Sequence, residues 1–337
     1  MVAIDLGVFA HNEAPGIGAM LDDLARQDIF DGPSFDVRVS VLANGCSDRT
    51  VPEAQAALDR HAARMHGRVL DLPQPGKSRT WEAFVHRHAR PEARYFILCD
   101  ADIRLPERAT CSRLVETLET RPEVEATSSR PVKDLTYDQS SKSLSERLIS
   151  AGGGTLYNWR MSICGQLYAI RATRARRVHM PAGLPVEDGF LRAMVLTDAL
   201  SAEERLDRLT GRDDAFHVYE SERSITALIR HQVRIVIGTA VNAEIFRRIR
   251  EEPPAQREEA LARFAADPEW LSRQLSSGLP RRPYGWVPFG LLTARLNGIR
   301  RARLARLPVI LLGFCFDALV YVIAQVRMAR GVGADFW

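Results

Sequence analysis

The sequence predicts an α/β fold with a mostly parallel, doubly wound sheet, followed by a C-terminal helical region. Two observations favour this fold. Short apolar segments alternate with segments of helical spacing over residues 2–100, which is typical of a parallel sheet covered by helices. Polar residues also come directly after the apolar segments, and these strand ends are where such sheets bind ligands.

The order of the elements is given by these patterns. In the first half, strands are predicted at residues 2–9, 35–42, 68–72 and 95–99, with helices at 18–27, 50–65 and 77–88. In the less regular second half, strands are predicted at 162–170 and 215–219, and helices at 185–196 and 225–250. Prolines at 253–254 and 280–288 interrupt the remainder of the chain. We therefore expect an α/β domain at 1–250 and a helical region at 251–337.

The composition favours a cytoplasmic protein that does not bind nucleic acid. The net charge is only +4, and no groove-like array of basic and aromatic residues is visible. The five cysteines form no CxxC pair, which argues against a disulfide framework or a cysteine zinc site. The first residues are strand-like and have no signal-peptide pattern. Basic residues gather late in the chain, which suits an anionic membrane surface, at Arg295, Arg300, Arg301, Arg303 and Arg306.

A metal site is predicted at Asp100-Ala101-Asp102, which comes directly after the apolar segment FILC. Two carboxylates around one spacer can both approach a hard cation at the end of a strand. Mg²⁺ or Mn²⁺ binds one or two carboxylates together with substrate phosphates, so the segment fits a diphosphate-containing substrate. The alternative is a polar turn after a strand.

Further motifs occur in a fixed order along the chain: Asn12-Glu13, Asn44-Gly45-Cys46-Ser47-Asp48-Arg49-Thr50, Gly76-Lys77, Asp100-Ala101-Asp102, Gly165 and Glu187-Asp188. In this order, over about residues 1–240, the chain resembles the family 2 glycosyltransferases of the GT-A fold. The resemblance implies an inverting transfer of a sugar from a nucleotide-diphosphate sugar, with a UDP-sugar favoured and Mg²⁺ or Mn²⁺ as the cofactor.

The resemblance also implies roles for the donor-binding residues. Glu13, Asn44 and Asp48 would line the nucleoside pocket, and Asp100 would lie beside the metal-binding Asp102. Lys77, at a predicted helix start, would lie near a phosphate. The alternatives are a tight turn at Asn44-Gly45, a solvated charge at Glu13 and a loop lysine at Lys77.

The catalytic roles fall later in the chain. By the resemblance, Asp188 is the general base that takes the proton of the acceptor hydroxyl; the alternative is a helix-start charge, as we expect for Glu187. Arg234 would neutralise the departing diphosphate, or would lie on the surface. His217 would be a further metal ligand or a structural histidine. The QxxRW motif of processive relatives is absent around Arg234, which favours a single transfer.

The tail predicts an association with the membrane at residues 284–330. Residues 307–326 are apolar apart from Asp317 and have arginines on both sides, so they are long enough to span a bilayer. Because Asp317 near the middle would be costly in lipid, we favour a peripheral helix on the cytoplasmic face of the inner membrane. A single-pass helix and a soluble packed helix are the alternatives.

The sequence thus predicts a transferase of the cell envelope, acting on a lipid-linked or glycan acceptor. Two other functions stay open. A nucleotidyltransferase would need a glycine-rich basic loop after the first strand, whereas this chain has HNEAPGIG there. A non-catalytic membrane scaffold would not need both Asp102 and Asp188.

Overall fold

The computed structural model describes residues 1–138, 159–276, 285–293 and 307–330. Within these residues one mixed sheet has eight strands: β1 (Val2–Ala10), β2 (Phe35–Asn44), β3 (His66–Leu72), β4 (Tyr95–Asp100), β5 (Ile103–Arg104), β6 (Ala126–Lys133), β7 (Leu167–Arg171) and β8 (Leu209–Tyr219). Their order across the sheet is β3-β2-β1-β4-β7-β6-β8-β5.

The helices of the described residues are α1 (Ile17–Ala25), α2 (Thr50–Arg60), α3 (Lys77–Ala83), α4 (Thr110–Thr120), α5 (Asp134–Tyr137), α6 (Ala172–Ala175), α7 (Glu187–Thr197), α8 (Ile225–Glu251), α9 (Arg257–Ala266), α10 (Trp270–Ser276), α11 (Phe289–Thr293) and α12 (Leu307–Ala329). Residues 84–88 extend α3 as a π-helical turn. The sequence predicted an ordinary helix over these residues.

The first half of the sheet has the predicted parallel arrangement. β1 pairs in parallel with β2 and β4, and β2 pairs in parallel with β3. The second half is mixed, because β7 runs antiparallel to β4 and β6. The reversal begins where the amide of Asp100 donates to the carbonyl of Gln166 at 2.9 Å. The start of β7 therefore lies beside the end of β4, and Gly165 comes next to Asp100.

Both faces of the sheet are covered, as expected for a doubly wound fold. Alternate side chains of a strand point to opposite faces: in β4, Tyr95 and Ile97 belong to one buried cluster, and Phe96 and Leu98 to the other. All four are fully buried. The sheet is therefore a rigid support whose polar residues are displaced to the strand ends.

The C-terminal region packs on the α/β domain and shares its core. Helix α8 ends at Glu251, and beyond it Leu261, Val287 and Val320 are buried in the same cluster as Phe190 of α7. Helix α12 contacts α8, and the hydroxyl of Tyr321 donates to the carbonyl of Val287 at 3.0 Å. The predicted basic cluster at 295–306 lies outside the described residues.

One face of α12 is apolar and exposed to solvent. Val320, Ala324 and Met328 are buried, whereas the opposite side carries exposed hydrophobic residues at Leu311, Leu312, Leu319, Val322 and Val326. By length and composition alone, residues 310–329 could cross a membrane. Helix α12 therefore packs on the domain with one side, and its other side is open to solvent.

Candidate active site

The loops after β1 and β2 are joined into one rim by side-chain hydrogen bonds. The carboxylate of Asp48 accepts from the amide of Ala14 at 3.1 Å and from the amide of Thr50 at 2.9 Å. The hydroxyl of Thr50 donates to Asp48 at 2.5 Å and accepts from the amide of Glu13 at 2.7 Å. The rim holds Glu13 and Asp48 at the carboxyl ends of the strands. We call the site at these strand ends the cleft.

Asn44 is buried beneath this rim. Its side-chain amide donates to the carbonyl of Ala10 at 2.9 Å and accepts from the amide of Gly76 at 3.2 Å, and the residue is not exposed to solvent. The next residue, Gly45, has φ +61°, and a Cβ there would lie 2.7 Å from Pro75, so only glycine fits. This placement argues against the predicted contact of Asn44 with a nucleoside. We interpret it as a positioning residue that ties β1, β2 and the Gly76 turn together.

Lys77 is the first residue of α3, as predicted, and its side chain lies among acceptors at the centre of the cleft. Its ammonium group is 2.5 Å from Asp100 and 3.2 Å from Glu187, and it donates to the carbonyl of Gly165 at 3.1 Å. Burial alone would lower the pKa of Lys77, but the charges of Asp100 and Glu187 more than offset that effect and raise it. Lys77 is therefore a permanent cation held by three acceptors.

Asp188 is brought to the same place by Gly165. A Cβ on Gly165 would lie 3.3 Å from Cβ of Asp188 and 3.6 Å from Nζ of Lys77, so the absence of a side chain lets these residues approach. Burial, together with the neighbouring Glu187, raises the pKa of Asp188 to about 6. A carboxylate with this pKa is ionised near neutral pH and basic enough to accept a proton.

Arg234 on α8 completes this side of the cleft. Its charge acts on Asp188 and lowers the pKa of that carboxyl, against the effect of burial. Arg234 is half-buried, and its guanidinium makes no hydrogen bond with the residues that the structure describes. Arg234 is therefore a cation close enough to act on Asp188, and its N–H donors make no hydrogen bond with the described residues.

The charge of the cleft suits the predicted metal ion. Asp102 is exposed at the rim, whereas Asp100 is committed to Lys77. Burial raises the pKa of Glu13 to about 7, and the charges of Asp102, Asp100 and Asp48 add to this effect. The negative charges of these neighbouring carboxylates repel one another, and a bound divalent cation would offset that repulsion. The residues therefore fit the predicted ion, with Asp102 as the carboxylate left accessible.

His217 does not offer a nitrogen to this site. The ring is fully buried, with Nδ1 at 3.0 Å from the hydroxyl of Ser129 and Nε2 at 3.1 Å from the side-chain carbonyl of Gln166. Burial lowers its pKa to about 3, so the ring stays neutral. These contacts argue against the predicted metal role and favour the structural alternative.

Two residues have contacts at the cleft that were not predicted from the sequence. Glu187 is a charge at the start of α7, as expected, and it is also the second carboxylate on Lys77. Ser78 was not singled out, although its hydroxyl accepts from the amides of Gly183 and Leu184 at 3.1 and 3.2 Å. Both contacts join α3 to the segment before Asp188, and neither has a local sequence signal.

The fold is similar to solved glycosyltransferase structures. Mannosyltransferase PcManGT from Pyrobaculum calidifontis, in complex with GDP-Man and Mn²⁺, is 18% identical with a TM-score of 0.56, over 97% of this chain and 86% of that chain. Glucosyl-3-phosphoglycerate synthase from Mycobacterium tuberculosis, in complex with Mg²⁺ and UDP, is 17% identical with a TM-score of 0.47, over 72% of this chain and 79% of that one. At such identities the likeness concerns the fold alone.

No curated protein matches the chain significantly. The profile of a family described as "Glycosyl transferase family 2" matches residues 5–177, which is more than half of the chain. The chain therefore belongs to glycosyl transferase family 2.

Proposed function

We propose that this protein is a metal-dependent, inverting glycosyltransferase that moves one sugar from a nucleotide-diphosphate sugar to a hydroxyl acceptor. The observation that carries the proposal is the convergence at Gly165. Residues far apart in the sequence, Lys77, Asp100, Glu187 and Asp188, meet there, and the accessible Asp102 comes two residues after Asp100. A cleft with a carboxylate base on one side and a cation-binding edge on the other fits this reaction.

Asp188 is the proposed general base. It would take the proton of the acceptor hydroxyl as the oxygen attacks the anomeric carbon, opposite the leaving diphosphate. Lys77 is bonded to protein acceptors, so we assign it to holding Asp100 and Glu187 in place and not to direct phosphate binding. Arg234, whose donors are unused by the described residues, is proposed to neutralise the departing diphosphate.

Asp102 is the proposed ligand of Mg²⁺ or Mn²⁺, with Asp100 beside it. When bound, such an ion neutralises charge on the diphosphate. Glu13 and Asp48 are proposed to border the nucleoside, Glu13 through its partly buried carboxyl and Asp48 by fixing the loop. A UDP-sugar is our favoured donor, and a GDP-sugar is the second choice because the similar mannosyltransferase structure contains GDP-Man.

A thermal-shift screen of UDP- and GDP-sugars, each with and without Mn²⁺, tests donor and ion together, because a ligand that binds the folded state raises the apparent stability. We expect a shift that needs both components and is lost in Asp102→Asn. Asp188→Asn should keep the shift and lose transfer. Absence of any donor-dependent shift would refute the proposal, and release of pyrophosphate would indicate a nucleotidyltransferase instead.

We also propose that α12 rests on the cytoplasmic face of a membrane, where a lipid-linked or glycan acceptor would be met. Its exposed apolar face supports this, and its docking on α8 favours a peripheral helix over a spanning one. Sedimentation with vesicles that contain anionic lipid tests the proposal. Leu312→Ser combined with Leu319→Ser and Val322→Ser should abolish co-sedimentation without unfolding the protein. Equal sedimentation of this variant and the wild type would refute it.

A further inference from the structure

A cluster of metal-ligating side chains lies outside the cleft, between the helix that begins at Lys77 and the segment that leads to Glu187. It consists of Glu82, His86 and His179, and we call it the histidine cluster. One carboxylate oxygen of Glu82 is 2.9 Å from Nδ1 of His179, and the other is 3.5 Å from Nε2 of His86. One ligand atom from each residue lies within 4.8 Å of the other two.

The local backbone holds these residues in place. His86 belongs to the π-helical turn at residues 84–88, an uncommon geometry that recurs at functional sites. Glu82 accepts the amide N–H of Met180 at 2.8 Å, and the two imidazole rings are stacked with their centroids 4.2 Å apart. Side-chain exposures of 18 to 22% leave the cluster within reach of solvent.

We propose that Glu82, His86 and His179 bind one divalent transition-metal ion such as Zn²⁺. Two imidazoles and a carboxylate are ligands that zinc prefers, whereas Mg²⁺ and Mn²⁺ favour oxygen ligands. Three protein ligands also leave a coordination position for water. The site therefore differs in chemistry and in place from the oxygen-rich edge at Asp102.

Binding requires a small rearrangement of existing hydrogen bonds. Nε2 of His86 lies 3.0 Å from the carbonyl of Val178, and Nδ1 of His179 lies against Glu82. Both nitrogens would have to be unprotonated, and the rings would tilt from their stacked arrangement to face one ion.

The ion would have a structural effect on the proposed active site. Ser78, Glu82 and His86 are spaced four residues apart, and all three bond to residues 178–184. An ion at the histidine cluster would strengthen the contacts that Glu82 and His86 make with residues 178–180. It would therefore stiffen the segment that ends at Glu187 and Asp188, without touching a substrate.

Zinc binding to the purified full-length chain tests this proposal independently of any transferase activity. The protein is stripped with a chelator, dialysed against Zn²⁺, and its metal content is measured. We expect one tightly bound Zn²⁺ per chain, and a visible ligand-field spectrum when Co²⁺ replaces it. His86→Gln and His179→Gln should each weaken zinc binding at least tenfold while circular dichroism stays unchanged.

His88→Gln is the matched control, because His88 lies on the same turn outside the cluster. It should bind zinc as the wild type does, and so should Asp102→Asn. Zinc binding by the wild type no tighter than by the double variant His86→Gln/His179→Gln would overturn the proposal. If a single variant unfolds, Co²⁺ spectra of the wild type still decide the question. The proposed four-coordinate site gives intense visible bands that six-coordinate aqueous Co²⁺ lacks, and their absence refutes the site.

Discussion

Lys77→Met is the substitution that most directly tests how the cleft is held together. Methionine keeps most of the volume of the side chain but removes the charge that neutralises Asp100 and Glu187. Those carboxyl side chains are only 21% and 15% exposed, so they cannot be fully solvated in place. The carbonyl of Gly165 also loses its donor. The folded state would therefore contain the carboxylate of Glu187 without its cation, and an Asp100 whose pKa, already raised to about 7 by burial, would rise further.

The expected loss can be bounded. Removing one partner of a buried ion pair costs about 3–5 kcal/mol, and the partial exposure of these groups reduces the figure, so we expect about 2–3 kcal/mol. Urea unfolding of the wild type and variant at pH 7.5 measures it. The double variant Lys77→Met/Glu187→Gln should recover part of the loss, because one uncompensated charge is gone.

Lys133→Met is the matched control for this experiment. Lys133 lies at the end of β6, with no ion pair among the described residues. Its substitution should change the unfolding free energy by less than about 0.5 kcal/mol. If Lys77→Met were as stable as Lys133→Met, the charges at Gly165 would not be coupled, and the argument for the cleft would fail.

Three further predictions concern the base, the packing beneath it and the rim. The rate of transfer should rise with pH through about 6, where Asp188 loses its proton. Asp188→Asn should lower kcat by about 10²–10⁴-fold. A wild-type rate that is constant from pH 5 to 8 would contradict the assignment of Asp188 as the base. Gly238→Ala would place a Cβ 2.3 Å from Val186 and should lower the free energy of unfolding in urea by about 1–3 kcal/mol. The control Gly290→Ala, whose Cβ would meet none of the described residues within 4 Å, should leave the free energy unchanged. Equal stabilities of the two variants would show that α8 is free to shift. Thr50→Val removes the hydroxyl that joins the two loops and should lower the free energy of unfolding by about 1–3 kcal/mol. It should also raise the KM for the donor more than it lowers kcat. Unchanged donor binding would show that the rim is not part of the pocket.

The first half of the fold was predictable because its signals are local. Each strand there is an apolar segment that ends in polar residues, and β4 with the adjoining Asp100 is the clearest case. The rule that parallel strands present their carboxyl ends at one edge then brings the motifs together without any knowledge of contacts. The convergence of Glu13 with Asp48, Asp100 and Asp102 is a consequence of topology alone.

The second half was less predictable because its signals are distant in sequence. β6 reads ATSSRPVK, which lacks the apolar alternation of a strand, so no strand was predicted there. Its hydroxyls are satisfied by remote partners: Ser128 donates to the carbonyl of Ser162 at 2.8 Å, and Ser129 contacts His217 at 3.0 Å. The contacts of His217 and Asn44 were not predictable for the same reason, since their partners are distant in sequence.

The family match ends at residue 177, so the position of Asp188 is not given by that match. It is set by two contacts that cross the chain, the ion pair of Lys77 with Glu187 and the close approach of Gly165 to Asp188. A charged residue that only capped α7 would have no need of either contact. Because burial raises the pKa of the Asp188 carboxyl to about 6, holding the charge there costs the fold some stability, which supports the role of base proposed for Asp188.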